Sequence, residues 1–165
     1  MLTPEQTQRI QPKLKLVQIV AGALIFGALA FAAGMSLMVD WENLNDELKM
    51  LTMMASGSSL LLFVMSIFVP VIFAGNSSEF DHSGAPPDDA SVDQAVPMLI
   101  SETLIRFSLI EGGVFLNLMV LIIEPHVALI VVAGIGLLVM LALFPRQSKM
   151  ISTIEKRARL GGPSS

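Results

Sequence analysis

Four long apolar blocks, separated by shorter polar stretches, set the pattern of this chain. They run from about Leu14 to Val39, Leu51 to Ala74, Leu99 to Ile123 and Val127 to Phe144. Each is continuous rather than alternating, which predicts a helix and not a half-exposed strand. At about 1.5 Å per residue the shortest block reaches about 27 Å, close to the ~30 Å apolar core of a bilayer. The expected fold is an all-α membrane protein with four transmembrane helices arranged as two antiparallel hairpins. Residues 1–13 would form a cytoplasmic N-terminal segment and 14–74 a first hairpin with its outer loop at 40–49. An acidic, flexible cytoplasmic linker would follow at 75–97, then a second hairpin at 98–144 and a basic cytoplasmic tail at 145–165.

Small residues and prolines punctuate the blocks. Gly22, Gly27 and Gly34 thin one side of the first and would permit close helix contact. Gly57 lies near the start of the second and Pro70 near its end. Only Glu124-Pro-His126 joins the third to the fourth, which predicts a tight hairpin with Pro125 at the start of the fourth helix. Ala28-Leu-Ala30 or Ala30-Phe-Ala32 imitates a signal-peptidase site, but hydrophobicity continues to Val39, so an uncleaved helix is expected.

Composition supports the same class. Hydrophobic residues make up 53% of the chain and charged residues 15%, against about 25% charged in soluble domains. Eight of the ten Lys and Arg residues fall before Leu16 or after Phe144, which predicts that both ends are cytoplasmic. Trp41 would then sit at the outer headgroup level. The loop Gly75–Pro97 carries Glu79, Asp81, Asp88, Asp89 and Asp93 without a basic residue, but acids count little in that rule.

Several function classes drop out. The chain has no cysteine, so thiolate chemistry and disulfides are excluded. A net charge of −4 argues against nucleic acid as a partner. No metal or cofactor is expected: Asp81-His82 with Asp88-Asp89 fits no ligand spacing and reads as solvated linker. In the tail, Met150, Ile151 and Ile154 recur at helical spacing beside Lys149, Lys156 and Arg157. That stretch is read as a topology anchor, with an amphipathic helix on the inner leaflet as the alternative.

The third block carries the candidate chemistry. A charged residue at the centre of a membrane helix costs about 2.5–3.5 kcal/mol on insertion scales, so Glu111 needs a partner, a water path or a role. On a helical wheel Glu102, Arg106, Gly113 and Asn117 share a face, and Glu111 points roughly the opposite way with Phe107, Ser108 and Leu118. Glu102 and Arg106 stand four apart in the favourable order for an interfacial ion pair. If Arg106 marks the interface, Glu111 lies about 9 Å deeper. A neutral Glu111 could donate a hydrogen bond to a neighbouring helix, or protonate reversibly during ion movement, or bind a partner protein or lipid. Gly112 and Gly113 beside it permit close packing in any case.

The stretch from Leu104 through Arg106, Leu109, Glu111-Gly112 and Phe115, followed by a hairpin, Phe144-Pro-Arg146 and Ile151/Ile154, resembles a group of small bacterial four-helix membrane proteins of unknown function. In this chain the closing pair has the order Pro145-Arg146, reversed from that group's. The resemblance covers roughly Ser101 to Arg157 and implies a membrane location and four helices. More distantly, the same helix is similar to the proteolipid c subunits of rotary ATPases, which carry one membrane carboxylate near small residues. Here Glu111 falls on the first helix of its hairpin, whereas the proteolipid carboxylate falls on the second.

The leading expectation is therefore a non-enzymatic structural or interaction component, partnered by the lipid bilayer and by a second copy or another membrane protein. The alternative is a proton- or ion-coupled oligomeric component using Glu111. No catalytic residue is assigned, because no Ser-His-Asp set or phosphate loop is present and Glu102, Glu111 and Glu124 are too far apart along one helix to pair. His126 beside Glu124 reads as a solvated loop histidine.

Overall fold

The computed structural model describes residues 2–44, 49–73 and 87–160. Among these the chain forms five α-helices: α1 (Pro4–Ser36), α2 (Met50–Phe73), α3 (Asp89–Ile123), α4 (Val127–Ala142) and α5 (Gln147–Leu160). A single 3-10 turn, Trp41–Asn43, follows α1. Three helices, α1, α2 and α3, are long and apolar enough to cross a membrane; the count rises to four if α4 and α5, bent by 72°, are taken as one broken span. Along α1 and α2 large apolar side chains such as Phe26, Ile67, Val71 and Ile72 are exposed, a surface that suits hydrocarbon better than water.

α3 is the hub. It packs against each of the other four helices, while α1 and α2 make no contact with one another. The expected first hairpin, 14–74, is therefore not a packed pair: consecutive helices α1 and α2 each bury their small-residue face on α3. On α1 that face is Ala21, Ile25, Ala28 and Met35; on α2 it is Thr52, Ala55, Ser59, Phe63 and Ser66. The α2 run recurs every three to four residues and the α1 run every three, four or seven, the spacing of one helix face. In lipid such contacts rest on close van der Waals packing rather than on a hydrophobic contrast between faces. Gly22 and Gly34 face open space, so alanines and not these glycines form the close approach of α1.

Two helices are longer than the apolar core of a bilayer. At about 1.5 Å per residue α1 and α3 reach about 50 Å, some 20 Å more than an apolar core. The excess builds a second layer in which Ile10, Leu14 and Val17 of α1 and Val92, Val96 and Leu99 of α3 meet Met150, Ile154 and Ala158 of α5. The segment expected before residue 14 and the end of the expected flexible linker are helical here. α1 is helical from Pro4, and the stretch Asp89–Pro97 is helix rather than linker. Pro12 and Pro97 lie inside their helices. An interior proline costs about 3 kcal/mol; here the buried contacts on both sides of each proline offset it. Residues 74–86, including Asp81 and His82, lie outside the described residues.

Side chains hold the first turns of α1 and α3 together. Thr3 and Gln6 form a reciprocal cap: the Gln6 N–H donates to Thr3 Oγ1 at 3.1 Å, and the Thr3 N–H donates to Gln6 Oε1 at 3.0 Å. Gln6 Nε2 then donates across to the Pro87 carbonyl at 3.0 Å and to Asp89 Oδ1 at 2.8 Å. Arg9 reaches Asp89 at 3.5 Å and Asp93 at 3.3 Å. Asp88 caps α3, accepting the Ser91 N–H at 3.2 Å and the Ser91 hydroxyl.

Those hydrogen bonds from Ser91 hold the Asp88 carboxyl below the ordinary aspartate value of 3.8. A carboxyl lowered in the folded state stabilises the helix start above its unfolded value, and the contribution disappears as pH falls through the folded value. A carbon-13 carboxyl titration of Asp88 should therefore have its midpoint below 3.8, and Ser91→Ala should raise it. An unshifted midpoint in both proteins would remove this cap from the account.

The tail is more than an anchor. α5 turns its apolar side onto α1 and α3, so Met150, Ile154 and Ala158 are covered by protein rather than by a leaflet. Gln18 Nε2 donates to the Pro145 carbonyl at 2.8 Å and ties the α4–α5 elbow to α1. At the opposite end Pro125 precedes the helix cap instead of opening α4. His126 is the cap, its Nδ1 accepting the Ala128 N–H at 3.0 Å. Glu124 accepts the Thr52 N–H at 3.1 Å and the Thr52 hydroxyl at 3.0 Å, which fixes the start of α2. Glu124 and His126 thus both serve helix N-termini.

Candidate functional site

The candidate residues of α3 separate onto three neighbours. Gly113 and Asn117 face α2. Asn117 is 0% exposed, and its Nδ2 donates to Ser59 Oγ at 2.5 Å and to the Gly113 carbonyl at 2.8 Å. Ser59 Oγ also donates within 2.9 Å of the same Gly113 carbonyl, and Ser56 Oγ stands 3.5 Å from Asn117 Oδ1. An amide and two hydroxyls are therefore closed onto one another between two apolar helices. That arrangement satisfies the buried polar groups and sets the register of α2 on α3.

One turn nearer the chain termini, the Phe63 ring lies against Gly113 of α3 and Gly136 of α4. A Cβ at Gly113 would stand 2.7 Å from Phe63 Cε1, and one at Gly136 would stand 2.7 Å from Phe63 Cζ and 2.5 Å from Val114 Cγ2. The two glycines make room for an aromatic wedge that locks α2, α3 and α4 together. Gly112, adjacent in sequence, faces open space.

Glu111 looks toward α1. A Cβ added to Gly27 would come within 4.0 Å of its Oε1, so the carboxyl lies beside the one gap that α1 leaves in its side-chain surface at this level. It is half-buried and makes no hydrogen bond or ion pair with a described residue. Phe31 of α1 and Phe115 of α3, one turn further from the termini, meet edge to face with ring centroids 4.7 Å apart and planes at 85°. Glu111 is thus separated by the body of α3 from the Gly113–Asn117 cluster.

Glu102 and Arg106 face the elbow. Arg106 Nη1 stands 3.9 Å from Glu102 Oε1, and the other carboxylate oxygen accepts a hydrogen bond from Arg157 of α5. The Glu102 side chain is 7% exposed and that of Arg157 17%. The interfacial pair is therefore a triad whose buried partner is the residue fifty-five positions away. Arg157 escaped the sequence reading because it was grouped with exposed tail cations. Its signal was its position beside Ile154 and Ala158 on the side of α5 that turns inward. Ser59 escaped too, although Ala55, Ser59 and Phe63 recur four apart in an otherwise uniform helix.

The arrangement offers packing, charge pairing and one carboxyl without a described partner. Among the described residues no three of His, Cys, Asp and Glu come together as a metal site requires. Asp88 and Asp89, the described half of the acidic set, are engaged with Ser91, Gln6 and Arg9. The chain matches no protein-family model, no curated protein and no solved structure.

Proposed function

We propose that the chain is a non-enzymatic structural or interaction component of a bacterial inner membrane, crossing it four times with both ends in the cytoplasm. Asn117 carries this reading. The most buried polar group of the membrane layer is engaged by Ser59 and a backbone carbonyl, so its chemistry serves helix association rather than a substrate. The orientation is supported by Arg9, Lys13, Lys15 and the cations of α5, which belong to one layer at the end carrying both termini. A fourth crossing rests on α4, whose 16 residues reach about 24 Å and would need a locally thinner bilayer or the elbow residues to complete it. The exposed apolar side of α2, with Leu61, Ile67 and Val71, is the surface such a component would offer to lipid or to a partner.

A second reading is favoured by one observation. Glu111 makes no hydrogen bond or ion pair with a described residue and sits beside Gly27, which leaves it room to exchange a proton. The two readings part in liposomes. For the structural component, proteoliposomes of the wild-type chain and of Glu111→Gln should leak protons no faster than empty vesicles, and both should keep the same native mass. Proton flux above empty vesicles that Glu111→Gln abolishes would replace the first reading with the second.

A further inference from the structure

A cavity of about 530 Å³ opens where α2 ends and α5 begins, on the side of α3 that carries Glu102 and Arg106. The last turn of α2 contributes Pro70, and the elbow contributes Leu143, Phe144 and Arg146; Lys149 and Arg157 come from α5. Two properties of this cavity call for a ligand. First, its charges do not balance among the described residues: Arg106, Arg146, Lys149 and Arg157 face it against the carboxylate of Glu102. Second, the triad leaves donors over. Arg106 Nε and Arg157 Nη1 are buried and have no hydrogen-bond partner among the described residues. Buried donors of this kind are rarely left open, and guanidinium groups pair most readily with carboxylate or phosphate oxygens.

We propose that this elbow cavity is a binding site for a phosphate group. The guanidinium groups of Arg106 and Arg157 meet it from the inner wall, and the exposed cations Arg146 and Lys149 meet it from the rim. Glu102 orients the two inner arginines and keeps them from repelling one another when the site is empty. The wall is not uniformly polar: Phe107, Leu143 and Phe144 line the side toward the membrane layer. A phosphate attached to a glycerol and acyl chains fits that two-sided lining, since the chains can run along the apolar wall while the headgroup stays among the cations. Soluble phosphate presents the same oxygens without the chains. The site is independent of what Glu111 does; it rests only on the helices lying in a membrane.

The test uses the full chain in lipid nanodiscs and three probes: phosphatidylglycerol, phosphatidylcholine and inorganic phosphate. Lipid retention is read by native mass spectrometry and phosphate binding by thermal melting. The double variant Arg146→Gln/Lys149→Gln removes two rim cations that take no part in the buried triad, and Lys156→Gln removes an exposed α5 cation outside the cavity. Wild type should retain phosphatidylglycerol over phosphatidylcholine by about tenfold or more, in line with the attraction of basic residues at a membrane surface. The double variant should lose that preference, and Lys156→Gln should keep it. A melting shift with inorganic phosphate that the double variant abolishes, without a lipid preference, would uphold the site and assign it to a soluble ligand. No response to either probe, or a lipid preference that Lys156→Gln reduces as much as the double variant does, would overturn it.

Discussion

Replacing Glu102 with Ala should release α5 from the body of the protein and lower the stability of the fold by about 3–5 kcal/mol, the range for removing one partner from a buried charge pair. The physical reason is what stays behind. Among the described residues Glu102 is the only carboxylate facing Arg157 and Arg106, and the side chains of these arginines are 17% and 25% exposed. Without it, two guanidinium groups that cannot give up their protons are left against each other at the edge of a membrane layer. The cheapest relief is for α5 to swing into water, since only Met150, Ile154 and Ala158 with their neighbours oppose that movement. Glu102→Gln should fall between, because an amide oxygen still accepts from Arg157 but brings no charge. Limited trypsin digestion checks the geometry: Lys156, Arg157 and Arg159 should become cleavable in Glu102→Ala well below the temperature at which the membrane helices melt. A double variant, Glu102→Leu with Arg157→Leu, should recover much of the loss, as apolar replacement of a whole buried pair often does. A tail that stays protected in Glu102→Ala would show that apolar packing alone seats α5.

Sequence patterning reached the helices and stopped short of their neighbours. The four apolar blocks correspond to α1, α2, α3 and α4, because unbroken hydrophobicity is an unambiguous signal. Where the helices begin was less legible. The first and third blocks are read as starting at Leu14 and Leu99, next to Pro12 and Pro97, and a proline usually limits a helix. What overrides them is tertiary: Ile10, Val92 and Ile154 are far apart in sequence and complete one buried layer only when all three helices are present. Neighbour choice failed for a related reason. In water an amphipathic stripe announces which side packs, but α1 and α2 are apolar all round, so only the size of side chains distinguishes a lipid side from a protein side. On α1 glycine marks the α3 side only at Gly27. Ala21 and Ala28 make the contact there, while Gly22 and Gly34 face outward. Of the candidate site, the opposition of Glu111 to Gly113 and Asn117 follows from helical geometry alone. The partners Ser59, Gly27 and Arg157 come from three other helices, whose order around α3 no local pattern encodes.

Gly113→Ala and Gly112→Ala should differ sharply although the residues are adjacent. A methyl at Gly112 meets nothing within 4 Å, and alanine there should be neutral or stabilising by up to about 1 kcal/mol through reduced freedom of the unfolded chain. A methyl at Gly113 would stand 2.7 Å from Phe63 Cε1 and 3.4 Å from two further atoms of the same ring. The ring has little room to retreat, because its Cε1 and Cζ atoms also lie close against Gly136 of α4. Overpacking of this kind costs about 1–3 kcal/mol, and here the cost falls on the junction of three helices. All three close atoms belong to Phe63, so Phe63→Leu in the Gly113→Ala background should restore most of the loss, with a coupling energy of about 1–2 kcal/mol between the two sites. Gly136→Ala gives the internal control. Its methyl would meet Phe63 Cζ at 2.7 Å but also Val114 Cγ2 at 2.5 Å, and the valine is stiff about χ1. The same Phe63→Leu change should therefore rescue Gly136→Ala only in part, whereas adding Val114→Ala should complete the rescue. Melting temperatures of these six variants, the wild type and the Phe63→Leu single variant in one lipid environment measure all of these terms. Equal rescue of both glycine variants by Phe63→Leu would mean that Val114 yields easily, and no rescue of either would mean that the α2–α3–α4 junction is not wedged by this ring.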